Sequence, residues 1–319
     1  MTTSPEQTSA TPAPLTGAWG DARGRAPAWQ VWVALGTVYL VWGSTYLGIR
    51  VMVRYLPPLV AMGTRFAIAG LLMAAGVRLL TGRGALRVSA RQLGSAALVG
   101  VLLLTVGNGA VAVAEQTLPS GLAALLVAAM PLWLVALRAI FGDRPLRLTV
   151  LGTLVGFVGI AVLARPGSAG PGVHAWGALV VLVGTISWAT GTFLSPRLAM
   201  PDSPFVATTY EMLAAGAVML LAALGSGELH GLHLAQVPAQ GWWALAYLVV
   251  FGSLVAFTAF VWLTRSAPLS LVSTYAYVNP VVAVLLGMLI LSEPLTAAVV
   301  AGGSLAVLGV AIVVRSERR

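Results

Sequence analysis

Cysteine is absent from the chain, and so is lysine. Without cysteine there is no disulfide, no thiolate metal site and no cysteine nucleophile. Without lysine there is neither a Walker A phosphate loop nor a Schiff-base amine, which argues against ATP-driven pumping by this chain alone. Charge is scarce as well, at 8% of residues, where soluble domains carry about 25%. The nine acidic residues are spread along the chain, so the clustered carboxylates that metal-assisted or acid–base catalysis requires do not occur. These absences point away from an enzyme and from any cofactor.

What is present is apolar surface. Of 319 residues 59% are hydrophobic, the mean hydropathy is +0.93, and the apolar residues arrive in stretches of about 20, the length of a helix that spans a bilayer core. The expectation is an all-α integral membrane protein. All 18 basic residues are arginine and the net charge is +9. In short loops between apolar runs, such charge fits anionic lipid headgroups and not nucleic acid.

Residues 1–28 are rich in Pro, Ser, Thr and Ala and read as a disordered cytoplasmic tail. The first apolar run begins too late for a signal peptide. From Trp29 onward ten helices are expected, at 29–49, 58–80, 92–113, 119–141, 147–165, 174–195, 204–224, 241–263, 269–291 and 295–314, with Pro and Gly clusters between them. Residues 316–319 form a second short tail. With a cytoplasmic amino terminus, the inner segments hold Arg23, Arg25, Arg78, Arg83, Arg87, Arg91, Arg138, Arg144, Arg147, Arg197, Arg265, Arg315, Arg318 and Arg319. The outer segments hold only Arg50, Arg54 and Arg165. This asymmetry places both termini in the cytoplasm and the protein, multi-pass, in the plasma membrane.

The chain repeats itself. Trp42, Arg65, Gly70 and Met73 recur 146 residues later as Trp188, Glu211, Gly216 and Met219, and Pro131 and Pro145 recur 149 later as Pro280 and Pro294. The register then slips by one, pairing Gly152, Gly156 and Gly159 with Gly302, Ala306 and Gly309. Five helices per copy invert the second relative to the first. Inverted repeats suit a transporter, because two related halves can exchange inward-open and outward-open shapes about a midplane site.

The stretch Val41-Trp42-Gly43-Ser44-Thr45-Tyr46, then Leu56-Pro57-Pro58 and Arg65-Phe66, resembles the first half of an EamA-domain protein of the drug/metabolite transporter superfamily. Ser120-Gly121-Leu122-Ala123-Ala124-Leu125, Met130-Pro131-Leu132 and Phe141-Gly142-Asp143-Arg144-Pro145-Leu146 resemble its fourth helix and exit. Asn279-Pro280-Val281 and Leu291-Ser292-Glu293-Pro294-Leu295 resemble the matching segment of the second half. The resemblance covers residues 29–315. It implies ten transmembrane helices as two inverted five-helix EamA repeats, over 29–166 and 173–315, and export of small metabolites or drugs, amino-acid-like solutes among them. The family often shows Glu-Arg or Glu-Lys after the fourth helix, where this chain has Asp143-Arg144. A non-transporting scaffold or receptor, and an enzyme acting on lipid-linked substrates, are the competing readings. One chain holding both repeats contains a complete pathway, so a functional monomer is expected.

Arg65 and Glu211 are the only charges well inside expected helices, where charge is costly and faces a partner or a wet cavity. Each lies about 10 Å deep, one below each surface, so a direct pair requires both side chains to stretch. Either each bonds separately, or Arg65 meets an anionic cargo group and Glu211 serves as a proton-coupling carboxylate. Trp42 and Trp188 sit at mid-depth, away from the interfacial belt, and are candidates to line the cargo cavity or to pack between helices. Thr45 and Tyr46 lie on a nearby face of the first helix. Asn108 between two glycines, and Tyr275 and Asn279 four apart before Pro280, are candidates for the same site or for hydrogen bonds between helices; Tyr277 points elsewhere, toward packing. Glu115 reads as a solvated loop charge, Glu228 with His230 and His233 as too weak a signal for a metal, and the glycine stripes of the fifth and tenth helices as close-packing faces.

Overall fold

The computed structural model describes residues 27–82, 84–170, 175–230 and 232–316. The tail expected over 1–28 lies outside the described residues except for its last two, as do Arg23, Arg25, Arg83, Arg318 and Arg319. Ala28 already opens the first helix. Ser316, expected in the second tail, closes the last one, and its buried hydroxyl bonds that of Thr149 at 2.8 Å.

The described residues are helical throughout, with no strand among them. The helices are α1 (Ala28–Met52), α2 (Pro58–Thr81), α3 (Ala90–Ala114), α4 (Ser120–Ile140), α5 (Arg147–Leu163), α6 (Ala175–Leu194), α7 (Pro204–Ser226), α8 (Ala239–Ser266), α9 (Leu269–Val272 and Tyr275–Leu291) and α10 (Ala297–Ser316). Eight of these stretches are long and apolar enough to cross a membrane; α5 and the long piece of α9 are shorter apolar helices of 17 residues each. Their outward faces are apolar too, with Leu71 and Leu79 of α2, Leu154 of α5 and Leu221 of α7 all exposed. Helices apolar all round have a lipid solvent. This is a multi-pass membrane protein.

Helix ends follow local chemistry. Pro58 and Pro204 occupy the first turn of α2 and α7, where a missing N–H costs nothing. Ser89 and Gln92 form a reciprocal capping box at the start of α3.

Two expectations of unbroken helices are corrected. α4 breaks at residues 128–129, immediately before Met130-Pro131, because the proline ring clashes with the carbonyl one turn back and supplies no donor. α9 breaks at residues 273–274, where the hydroxyl of Tyr39 in α1 meets that of Thr274; Pro280 is accommodated within the long piece. A third departure concerns α3 and α8. Each contains an eight-residue π-helical segment, Val101–Asn108 and Leu248–Val255, in equivalent places 147 residues apart.

The repeats interleave. α2 packs antiparallel on α7, and α5 on α10. At the second pair the glycine stripes bring backbone onto backbone: a Cβ at Gly159 falls 2.4 Å from the Ala306 nitrogen, and one at Gly309 falls 2.4 Å from the Gly156 nitrogen. By contrast, α1 packs against α8 and α9, while α6 packs against α3 and α4. Each first helix of a repeat is thus embedded in the other repeat. Three apolar cores result: one around Leu122, Leu126, Leu132 and Leu163, one around Met52, Met62, Phe66 and Met219, and a smaller one around Leu35, Val38, Leu263 and Val272.

Candidate functional site

A π-helical segment misaligns backbone hydrogen bonds, and in a membrane the freed carbonyls need donors from neighbours. Each π segment receives one side-chain donor from the other repeat. Trp42 Nε1 in α1 donates to the Gly252 carbonyl in α8 at 3.2 Å. Ser187 Oγ in α6 donates to the Leu102 carbonyl in α3 at 2.8 Å, and the adjacent Trp188 lies so close over Gly107 that a Cβ there falls 2.9 Å from its ring. Both tryptophans lie against the π segment of the opposite repeat, Trp42 through its indole N–H and Trp188 through its ring face.

Around Trp42 the site is denser. Its ring meets Phe260 at 5.1 Å and Tyr275 edge-on at 5.3 Å, and those two meet each other at 5.6 Å. Thr45 Oγ1 donates to the Trp42 carbonyl at 2.6 Å. Gly252 is the floor: a Cβ there falls 3.0 Å from Thr45 Cγ2 and 3.2 Å from Arg65 Nη2. Arg65 is buried, donates from Nε to Ser253 Oγ at 3.1 Å, and sets its guanidinium 4.9 Å from the centre of the Phe66 ring. Trp42, Thr45 and Arg65 therefore converge on one π segment, and Tyr275 joins them through the Trp42 ring.

The remaining candidates lie apart from that cluster. Tyr46 packs in the core formed with Ile49, Met52 and Leu248. Asn108 ends the π segment of α3, beside the glycine under Trp188. Asn279 is buried, with its carbonyl beside Gly43 and its Oδ1 without a hydrogen-bond partner. Tyr277 packs into the core around Leu122 and Leu163. Glu211 is half-buried, with its backbone pressed against Gly100 of α3. It forms no ion pair with Arg65, which bonds Ser253 instead.

Glu115 requires correction. It is fully buried, neither carboxylate oxygen has a hydrogen-bond partner, and Arg50 donates to its backbone carbonyl. The turn after α3 keeps Gln116 and Thr117 exposed, but Glu115 itself is turned inward, and Leu118 is buried against Gly177 of α6. Two other carboxylates serve helix amino termini, where backbone N–H groups favour negative charge. Glu228 accepts from the Leu59 and Val60 nitrogens of α2 at 2.9 and 3.1 Å. Glu293 accepts from the Ser120 nitrogen at 2.7 Å, and from Ser120 Oγ and the Gly121 nitrogen at 3.0 Å each. Sequence reasoning missed Glu293 as a side chain with a task, along with Gly252, Ser253 and Phe260. The repeated Pro after Glu293 was the only signal.

The model of one family, described as the EamA-like transporter family, matches residues 28–165 and again 175–315. The chain belongs to the EamA-like transporter family. Within it, the inner membrane transporter YedA of Escherichia coli (strain K12), named as uncharacterized, is 43% identical over 256 residues, or 80% of each chain. A probable terminal-alkyne amino-acid exporter of Streptantibioticus cattleyicolor is 30% identical over 295 residues, covering 89% of this chain and 93% of that one. A solved crystal structure matches the fold with a TM-score of 0.62 at 22% identity, over 92% of this chain and 99% of that one. The EamA assignment makes this protein a membrane transporter, and the two matched segments coincide with the two interleaved repeats.

Proposed function

We propose that the chain is a secondary transporter that exports small amino-acid-like or drug-like solutes by alternating access. Ten spans are counted in this reading, with α5 and both pieces of α9 included, as inverted repeats over 29–166 and 173–315. The arginine-rich ends of the helices, together with both termini, face the cytoplasm of a plasma-membrane protein that works as a monomer and catalyses no covalent chemistry.

The observation that carries the reading is an inequality between equivalent places. Pro119 and Leu122 at the start of α4 match Pro268 and Leu271 at the start of α9, 149 residues on. Around the first pair the free space is about 10 Å³, and around the second it is about 430 Å³. In this reading the space around the second pair, a recess open to the surface, is the open counterpart of the filled space around the first, at the arginine-rich and arginine-poor ends respectively. Exchanging the two conformations opens the opposite end. Trp42, Thr45, Tyr275 and Arg65 recognise cargo on one side of the pathway, and Trp188, Asn108 and Asn279 complete it. Glu211 is the candidate coupling carboxylate, and the name of the Streptantibioticus relative supports amino-acid-like cargo and export.

The test is counterflow of labelled amino acids, nucleosides and quaternary-ammonium dyes in proteoliposomes, with and without a pH gradient. Selective flux that falls in Trp42→Ala at unchanged folding supports the cavity, and loss of the pH response in Glu211→Gln supports coupling. A folded protein that moves nothing in the panel refutes the reading and favours a scaffold.

A further inference from the structure

Among the described residues, Glu293 does at one end of the molecule what no carboxylate does at the other. It follows Ser292, the only non-glycine residue with a left-handed backbone among those described (φ 54°). In the register that pairs Gly152 with Gly302, 150 residues back, Gly142 also has a positive φ (101°) and is followed by Asp143. Each carboxylate thus follows a residue of positive φ, one at each end of the fold.

Their situations differ. Glu293 spans from the end of α9 to the start of α4, where its oxygens hold Ser120 and Gly121 and where it lines the cavity of about 10 Å³. It has room because residue 287 is glycine: a Cβ there falls 2.3 Å from Glu293 Oε2. Asp143 is half-exposed and bonds Arg138 Nε at 2.8 Å. Its end of α4 leans on α6, with Phe141 5.1 Å from Phe193, and the cavity of about 430 Å³ beside Pro268 and Leu271 is lined by α1, α8 and α9 without it.

Resting on the alternating-access reading, we infer that Asp143 is the gate carboxylate of the arginine-rich end. When that end closes, Asp143 leaves Arg138 and seats against the Pro268–Leu271 segment, as Glu293 now seats against Pro119–Leu122, while Glu293 lets go. Neither residue touches cargo. Each is a positioning residue that stabilises one closed end, and only one of the two can be seated at a time. The shorter Asp143 side chain makes the weaker latch, consistent with the end that stands open.

The absence of cysteine allows a direct test, since single-cysteine variants report without background. Leu122→Cys and Leu271→Cys are each labelled with a membrane-impermeant charged thiol reagent applied from either face of proteoliposomes. Glu293→Gln is expected to raise labelling at residue 122 and lower it at residue 271, by about tenfold in the ratio, the size of one lost charge-assisted bond. Asp143→Asn is expected to shift the ratio the opposite way, and Asp143→Glu to shift it toward a closed arginine-rich end. If Asp143→Asn leaves the ratio unchanged or moves it with Glu293→Gln, the latch is refuted. If residue 122 never labels in the protein with its native carboxylates, there is no second state, and alternating access itself fails.

Discussion

Removing the hydroxyl of Ser253 isolates what holds Arg65. That guanidinium is 5% exposed and bonds Ser253 Oγ at 3.1 Å, with the sulfur of Met62 at 3.8 Å and the face of Phe66 as its other neighbours. A hydrogen bond to a charged group contributes about 1.5–3 kcal/mol. Ser253 Oγ also donates to the Leu248 carbonyl, the first of the π segment, at 3.0 Å, and that bond adds about 1 kcal/mol. Alanine returns about 0.5 kcal/mol through its better helix propensity, so Ser253→Ala costs about 2–3.5 kcal/mol. Thermal unfolding in detergent, followed by tryptophan fluorescence, measures it against Thr190→Ala, whose hydroxyl bonds only the carbonyl one turn back in its own helix. The expected drop for Ser253→Ala is several degrees, with little change for the control, and Ser253→Thr recovers most of it. A Ser253→Ala protein as stable as the wild type refutes the anchoring of Arg65 by α8. If stability holds and only the KM for cargo rises, Arg65 is a ligand and not a strut.

Other substitutions probe separate parts of the structure. Gly159→Val is expected to destabilise by about 3 kcal/mol, at the upper end for overpacking, because the neighbours at 2.4 and 2.5 Å are the backbone atoms of Ala306 and Gly302; Gly76→Ala, with nothing within 4 Å, is expected to be neutral or stabilising in the same unfolding assay. Trp42→Phe keeps an aromatic ring beside Phe260 and Tyr275 but loses the bond to Gly252, and is expected to cost about 1 kcal/mol while lowering counterflow more than it lowers stability. Glu115→Gln removes a carboxylate that is fully buried without a partner, so the melting temperature is expected to hold or rise, and a loss of several degrees would show that an ionised Glu115 is paired.

The spans were legible because lipid demands about 20 apolar residues and a proline or glycine break between them, and both are written in the residues themselves. Arg147–Leu163 and Ala175–Leu194 fall within a few residues of the expectation for that reason. The duplication was legible through Trp42 and Trp188 and through the glycine stripes, which pack as their spacing requires. What stayed hidden depends on partners distant in sequence. Glu115 reads as a loop residue until Arg50 of α1 arrives beside it, and Glu293 reads as an exposed turn until α4 does. The π segments carry no local signature, since Val101–Asn108 and Leu248–Val255 are as apolar as any α-helix; their equivalence appears only when the donors, Trp42 and Ser187, are seen to come from the opposite repeat.

That exchange of donors bears on which parts of the molecule move. A motion separating the first repeat from the second would break the bond from Trp42 to Gly252 and the bond from Ser187 to Leu102, leaving carbonyls without partners in a medium that supplies none, at several kcal/mol for each. A motion between a unit holding α1 with α8 and a unit holding α6 with α3 breaks neither. The seams it crosses are those between α4 and α9, the two helices already interrupted at residues 128–129 and 273–274, and between α2, which packs on α8, and α7, which packs on α3. Each such unit contains helices of both repeats, so under the proposed alternating access the inverted symmetry relates one unit to the other, and the contacts at the starts of α4 and α9 contribute to the energy of opening either end.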